Sequence, residues 1–327
     1  MAVKVYYSSD AGAPVLCAAN SNLITVLYTC LVSGYGSLSG LGWSNTLTNN
    51  NTTVFYSNTG ANAKLFINDN SPSSNRFARI RAYESVNIDT TGNPINTVNP
   101  FPTSLQAVNG LFYYKASEYG TFTNNHPWVL IGDEKGFYFG CDSYTNGTNY
   151  SGGKNWMYFG EILSFRANDS FPTLLIAGTS ENATPSNPSL YTSFHTIASS
   201  PATDTAGHYM QRNFDLLSPS VGASKVGATW AGFGYSGGPP YPHPVDDSLL
   251  VTSVLIGGTT PSDHFRGILP GIYAPQHIRP VTEFTNIVNV VGLSNRTLQA
   301  FTISTASGAY GASVQGVVMF DITGPWR

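Results

Sequence analysis

The string Gly234-Tyr235-Ser236-Gly237-Gly238 has the GxSxG spacing of a nucleophile elbow, and Asp246 and His264 downstream complete the residue types of a serine hydrolase. That chemistry requires a strand before the serine and a helix directly after it, so that the hydroxyl stands on a strained turn. Here GGPPYPHP follows, and Pro239, Pro240, Pro242 and Pro244 forbid a normal helix interior. The α/β alternation of a hydrolase sheet is absent as well, so the motif reads as a Gly/Pro loop.

Glu118, Asp133, Glu134, Glu161 and Asp169 are the carboxylates from which a glycoside-cleaving pair would have to come, a chemistry that depends on a separation only the fold can set. Asp133 and Glu134 fall in GDEKG, whose glycines and short polar residues are those of a hairpin loop, so they are expected to be loop carboxylates. The six histidines, His126, His195, His208, His243, His264 and His277, never form HxH or HExxH. Asp263, His264 and His277 are able to meet Asp246 or Asp247 only through the fold. A phosphate-cradling glycine loop followed by Lys-Ser/Thr is also missing. The expectation is a protein that is not an enzyme, with no catalytic residues, no cofactor and no metal.

The aromatic runs Trp156-Met157-Tyr158-Phe159 and Tyr138-Phe139 have rings suited to stacking on sugars, but alternation along a strand buries every second one. Trp43, Trp230 and Trp326 each lie next to Gly or Pro and are the expected surface rings. Together with Tyr235 and Tyr241 they form the set of interface candidates, because aromatics on Gly/Pro loops are frequent anchors.

The elements that must position these residues are mostly strands. Alternation over 2–7 predicts a strand, which Gly12 and Pro14 end. From Asn20 or Ser21, each an acceptable N-cap, Leu23, Ile24, Leu27 and Leu31 recur at helical spacing until Gly34 stops the helix, predicted over 20–33. Short apolar and β-branched runs follow at 52–57, 63–69, 78–84, 110–116, 127–134 and 136–141, separated by turn residues. From Thr179 to Pro244 the text turns rich in Ser, Pro, Ala and Gly and predicts long surface loops that contact neighbours. Strand-like text returns at 245–258, a Pro-punctuated turn segment is expected at 266–277, and strands close the chain at 284–292, 298–304 and 315–322. The prediction is an all-β protein of antiparallel sandwich or barrel-like sheets with one short N-terminal α-helix. Its expected parts are an N-terminal β lobe over 1–178, a loop-rich insertion over 179–245 and completing strands over 246–327.

Composition narrows the partners. Of 327 residues only 10% are charged, 15 basic against 18 acidic, which removes the electrostatic footprint of a nucleic-acid binder. With 41% hydrophobic and 13% aromatic residues the chain has the material for a core. Its near-neutral Ser, Thr, Asn and Gly surface offers little repulsion between copies. Cys17, Cys30 and Cys141 are odd in number and lack CxxC spacing, so they are expected to be buried thiols. Neither a signal-peptide pattern at Met1 nor a membrane-length apolar run is present, so synthesis in a cytoplasm without membrane contact is expected.

MAVKVYYSSDAGAP, then LITVLYTCLVSGYGS with GLGWS shortly after, then FRGILPGIYAPQH and finally FDITGPWR occur in that order. In this order of strings the chain resembles a family of structural proteins from tailed-bacteriophage virions and prophages. The resemblance implies a virion component present in several symmetric copies, made in the bacterial host cytoplasm, with no cofactor, whose partners are copies of itself and other virion proteins. A tail, baseplate or neck subunit is the first expectation and a capsid decoration protein the second. A carbohydrate-binding or depolymerising host-recognition protein, with a host-surface glycan as partner, is the third.

Overall fold

A computed structural model describes residues 2–49, 51–60, 62–70, 77–116, 124–142, 155–180, 207–216, 225–227, 242–243, 245, 247–257, 265–277, 281–288, 290, 292–303 and 316–327. The first third of the chain forms β1 (Lys4–Tyr7), α1 (Asn22–Tyr28), β2 (Ser44–Asn49), β3 (Thr52–Tyr56), β4 (Lys64–Asn68), β5 (Phe77–Ile88) and β6 (Pro94–Phe101). The middle forms β7 (Leu111–Tyr114), β8 (Trp128–Asp133), β9 (Gly136–Cys141), β10 (Asn155–Glu161), β11 (Leu163–Ser164), β12 (Thr173–Ile176), β13 (Thr179–Ser180), β14 (His208–Met210) and β15 (Lys225–Gly227). The last part forms β16 (Val251–Gly257), β17 (Phe265–Pro275), β18 (Asn286–Val288), β19 (Thr297–Ile303) and β20 (Gly316–Asp321). The protein is all-β, with one short helix among the described residues.

Among the described residues the strands make three antiparallel sheets. The central one has the order β1-β8-β9-β10-β12-β14. One outer sheet runs β13-β7-β5-β4-β3-β2 with β6 on β5, and the other runs β15-β16-β17-β20-β19-β18 with β11 on β17. Alternation explains the layering. Leu130, Phe137, Phe139, Met157 and Phe159 of the central sheet join a core with Phe55, Leu65, Ile80 and Leu111 of the first outer sheet. Their sequence neighbours Val129, Ile131, Tyr138, Trp156 and Tyr158 point the other way, into a second core with Ile256, Ile272, Phe301 and Phe320. A sheet covered on both faces needs apolar side chains at successive positions, which is why WVLIGD and GFYFGC read as continuous apolar runs.

Sheet membership does not follow the three segments expected from composition. The described residues of 179–245 include β13, β14 and β15, one for each sheet, and β11 of the first segment pairs with β17 of the last. RGILPGIYAPQH, expected as a turn segment, is the long strand β17, in which Gly271 at φ 69 provides a local kink. Among the described residues of 284–292, Asn286–Val288 is strand.

The helix buries Leu23, Ile24, Val26 and Leu27 and passes into a single π-type turn over Thr29–Ser33, which buries Cys30 and Leu31. It ends at Gly34 as expected, with φ 82, where a Cβ would sit 2.2 Å from the Leu38 carbonyl oxygen. Ser21 precedes it in a left-handed conformation without a capping bond from its side chain. The cap comes instead from Asp69, beyond β4, whose Oδ2 accepts the Leu23 N–H at 2.9 Å.

Candidate functional site

The carboxylates singled out by type are the natural starting point. Asp133 closes β8, and its Oδ1 accepts the amide N–H groups of Lys135 and Gly136 at 2.9 Å each, which shapes the two-residue turn into β9. Its Oδ2 pairs with the Arg327 guanidinium. Glu161 ends β10 alongside, where β9 and β10 approach so closely that a Cβ on Gly160 would lie 2.3 Å from the Gly136 Cα. Lys135 Nζ stands 3.3 Å from Glu161 Oε2, and Arg327 Nη2 donates to the Glu161 carbonyl at 2.6 Å. Tyr158 donates to the same carbonyl at 2.5 Å, and burial holds its hydroxyl well above the ordinary phenol range. Beside this cluster lies a small cleft lined by Trp43, Ser57, Ala63, Lys135, Phe159 and Glu161.

The fold therefore brings Asp133 and Glu161 together, but around cations and amides that belong to the chain. This arrangement fastens the last residue of the chain to the β8–β9 turn and the end of β10. Asp169 has a similar task elsewhere: it accepts from Arg266 Nη2 at 2.8 Å, Ser164 Oγ at 2.7 Å and the Phe171 amide at 3.0 Å. Glu134 sits in the β8–β9 turn, as GDEKG implied, and Ser57 Oγ donates to its carbonyl at 2.5 Å. Glu118 lies outside the described residues, as do Ser236, Asp246, Asp263, His264 and His195.

The remaining histidines have structural partners. His277 Nε2 accepts the Leu250 N–H at 2.7 Å, and His126 Nδ1 lies 3.0 Å from the Asp142 carbonyl. His208 is buried in β14. Among the described residues no group of three or more His, Cys, Asp or Glu side chains is arranged to hold a metal ion. Cys17, Cys30 and Cys141 are buried free thiols, and burial raises Cys30 well above the usual thiol range.

Two expected surface rings are core residues. Trp43 is 3% exposed and Trp326 is 7% exposed. The Trp43 indole N–H donates to the Asp133 carbonyl at 3.1 Å, and the ring packs edge-on to Phe137 at 5.3 Å. Trp326 donates to the Asp321 carbonyl at 2.9 Å and meets Tyr138 at 5.5 Å. Its indole occupies the place a side chain would take at Gly271, where a Cβ would lie 2.1 Å from Trp326 Nε1. Here glycine makes room for the ring instead of freeing it to solvent. Trp230, Tyr235 and Tyr241 lie outside the described residues.

The residues that do present apolar surface were not marked by their type. Ile95 and Val98 on β6 are partly exposed, and Leu105 and Val108 in the loop after it are 95% and 60% exposed. This loop is internally braced. Thr103 N–H donates to Gln106 Oε1 at 2.8 Å, Ala107 N–H to the Thr103 carbonyl at 3.0 Å, and Arg81 Nη2 to the Val108 carbonyl at 3.0 Å. Pro102, Ser104 and Asn109-Gly110 are the local turn signals around this loop.

No protein-family model and no curated protein matches the chain. Among the described residues no helix is long and apolar enough to cross a membrane.

Proposed function

We propose that this protein is a structural subunit of a tailed-bacteriophage virion, positioned in the tail, baseplate or neck and assembled in symmetric copies. The observation that carries the reading is that the strings bearing the resemblance pack together in pairs, the first with the second and the third with the last. Tyr35 of LITVLYTCLVSGYGS donates to Asp10 Oδ2 of the opening string at 2.8 Å, and its ring lies 5.9 Å from Tyr6. Phe320 of the closing string pairs in register with Ile272 of FRGILPGIYAPQH, and Trp326 fills the space over Gly271 of the same string.

Apolar side chains displayed on a braced loop, with Leu105 foremost, suit a subunit that buries surface against neighbours. Among the described residues, the candidate carboxylates Asp133, Glu161 and Asp169 are engaged in holding the fold, and the described tryptophans have no open stacking face.

The test is the copy number of the protein in purified particles, by quantitative mass spectrometry against the major capsid protein. Tens of copies or fewer per particle support the tail, baseplate or neck. Hundreds would make it a decoration of the head, and absence from particles would overturn the virion reading.

A further inference from the structure

Asp69 follows β4 and Lys115 follows β7, and in the sheet these two strands flank β5. Their side chains meet with no exposure on either one, Lys115 Nζ lying against Asp69 Oδ1. Lys115 Nζ also donates to the Ala19 carbonyl at 2.6 Å, while Asp69 Oδ2 accepts the Leu23 N–H at 2.9 Å. Among the described residues, the nearby titratable groups are the thiols of Cys17 and Cys141.

Two full charges removed from water in this way cost more than their attraction returns unless every remaining valence is met. Burial accordingly raises the Asp69 carboxyl and lowers the Lys115 ammonium, both toward their uncharged forms. One proton passing across the contact leaves an amine facing a carboxylic acid. Groups held in such contact react as though at a concentration far beyond any reachable in solution.

We propose that Lys115 and Asp69 condense within the folded core into an intramolecular isopeptide bond. Lys115 Nζ attacks Asp69 Cγ, the N–C bond forms, and the tetrahedral intermediate places negative charge on Oδ2, where the Leu23 N–H is already directed. The Cγ–Oδ1 bond then breaks, the departing hydroxyl takes a proton from Nζ, and one water leaves. The product is a neutral amide, so the two buried charges disappear together. It would tie positions 46 residues apart and clamp the strands on either side of β5, restricting the unfolded chain as a disulfide does. This inference is independent of where the protein sits in a particle.

Intact-mass spectrometry of the full-length protein under denaturing conditions tests it directly. The expected mass is below that of the sequence by one water, and fragmentation of a protease digest should show a branched peptide joining the Asp69 and Lys115 segments. Lys115→Arg and Asp69→Ala should both return to the full mass of their sequences. Asp69→Asn should lose ammonia in place of water and reach the same cross-linked product. A wild-type protein at full sequence mass, a deficit that maps within a single linear peptide, or a deficit that persists in Lys115→Arg would each overturn the proposal. The wild-type measurement decides the matter even where a variant fails to fold.

Discussion

Strands β8 and β6 have similar length and both belong to antiparallel hairpins, yet they obey opposite rules. All six residues of β8 are buried, whereas five of the eight in β6 are exposed. β8 lies inside the central sheet, with one core on each face, so every position must be apolar or hydrogen-bonded. β6 pairs with β5 on one side and with no described strand on the other. It tolerates Pro94 and Pro100 and carries Asn96 and Asn99 at φ 52 and 44. Proline and left-handed residues blunt an edge against indiscriminate pairing. The lesson is that the inner layer supplies stability while the outer edge is free to carry contact surface, and such a division should be visible when each is altered.

The largest effect is expected in the central layer. Trp156 packs on Phe320 at 4.7 Å and Phe301 at 5.4 Å, and Trp156→Ala should cost about 3–5 kcal/mol. Urea denaturation would read this as a fall in midpoint, and an unchanged midpoint would break the contrast. Next comes Gly271→Ala, whose Cβ drives into the Trp326 indole at a left-handed backbone position. A loss of about 1–3 kcal/mol is expected, with a shift in tryptophan emission as the ring is displaced.

At the exposed loop the balance reverses. Leu105→Ser should leave stability within about 0.5 kcal/mol of the parent while lowering incorporation into particles, measured by competition with the unaltered protein. Loss of stability without loss of incorporation would show Leu105 to be core material for the subunit alone. The smallest effect belongs to Asp89 at the β5–β6 turn. The Asn93 amide, followed by Thr91, holds its carboxyl down to about 2. Because the folded value is lower than the unfolded value of about 4, its contribution is present above pH 4 and disappears as the pH falls toward 2. Asp89→Asn should flatten that portion of the melting temperature against pH.

Much of the architecture was legible in the chain. WVLIGD and GFYFGC, joined by an Asp-Glu-Lys-Gly turn, announce a hairpin, and Gly34 marks the end of the helix. That both faces of those strands are covered was not read from the chain, where alternation was expected to bury every second ring. The π-type turn at Thr29–Ser33 and the cap from Asp69 were not legible, because both depend on chain more than thirty residues away or on packing against the core. The same holds for Trp43 and Trp326. A neighbouring glycine signals a ring on a turn and a ring filling a gap with equal force, and only the opposing surface distinguishes them.

By itself the sequence determined the all-β class, the helix and most strand positions, since alternation, β-branching and turn residues act over a few neighbours at a time. Which sheet each strand joined, which rings were buried, and the meeting of Asp133 with Arg327 and of Asp69 with Lys115 were decided by the tertiary structure alone. Those pairs are 194 and 46 residues apart. No local preference reaches so far: the contacts arise when two apolar faces are buried on opposite sides of one sheet and leave their polar ends adjacent.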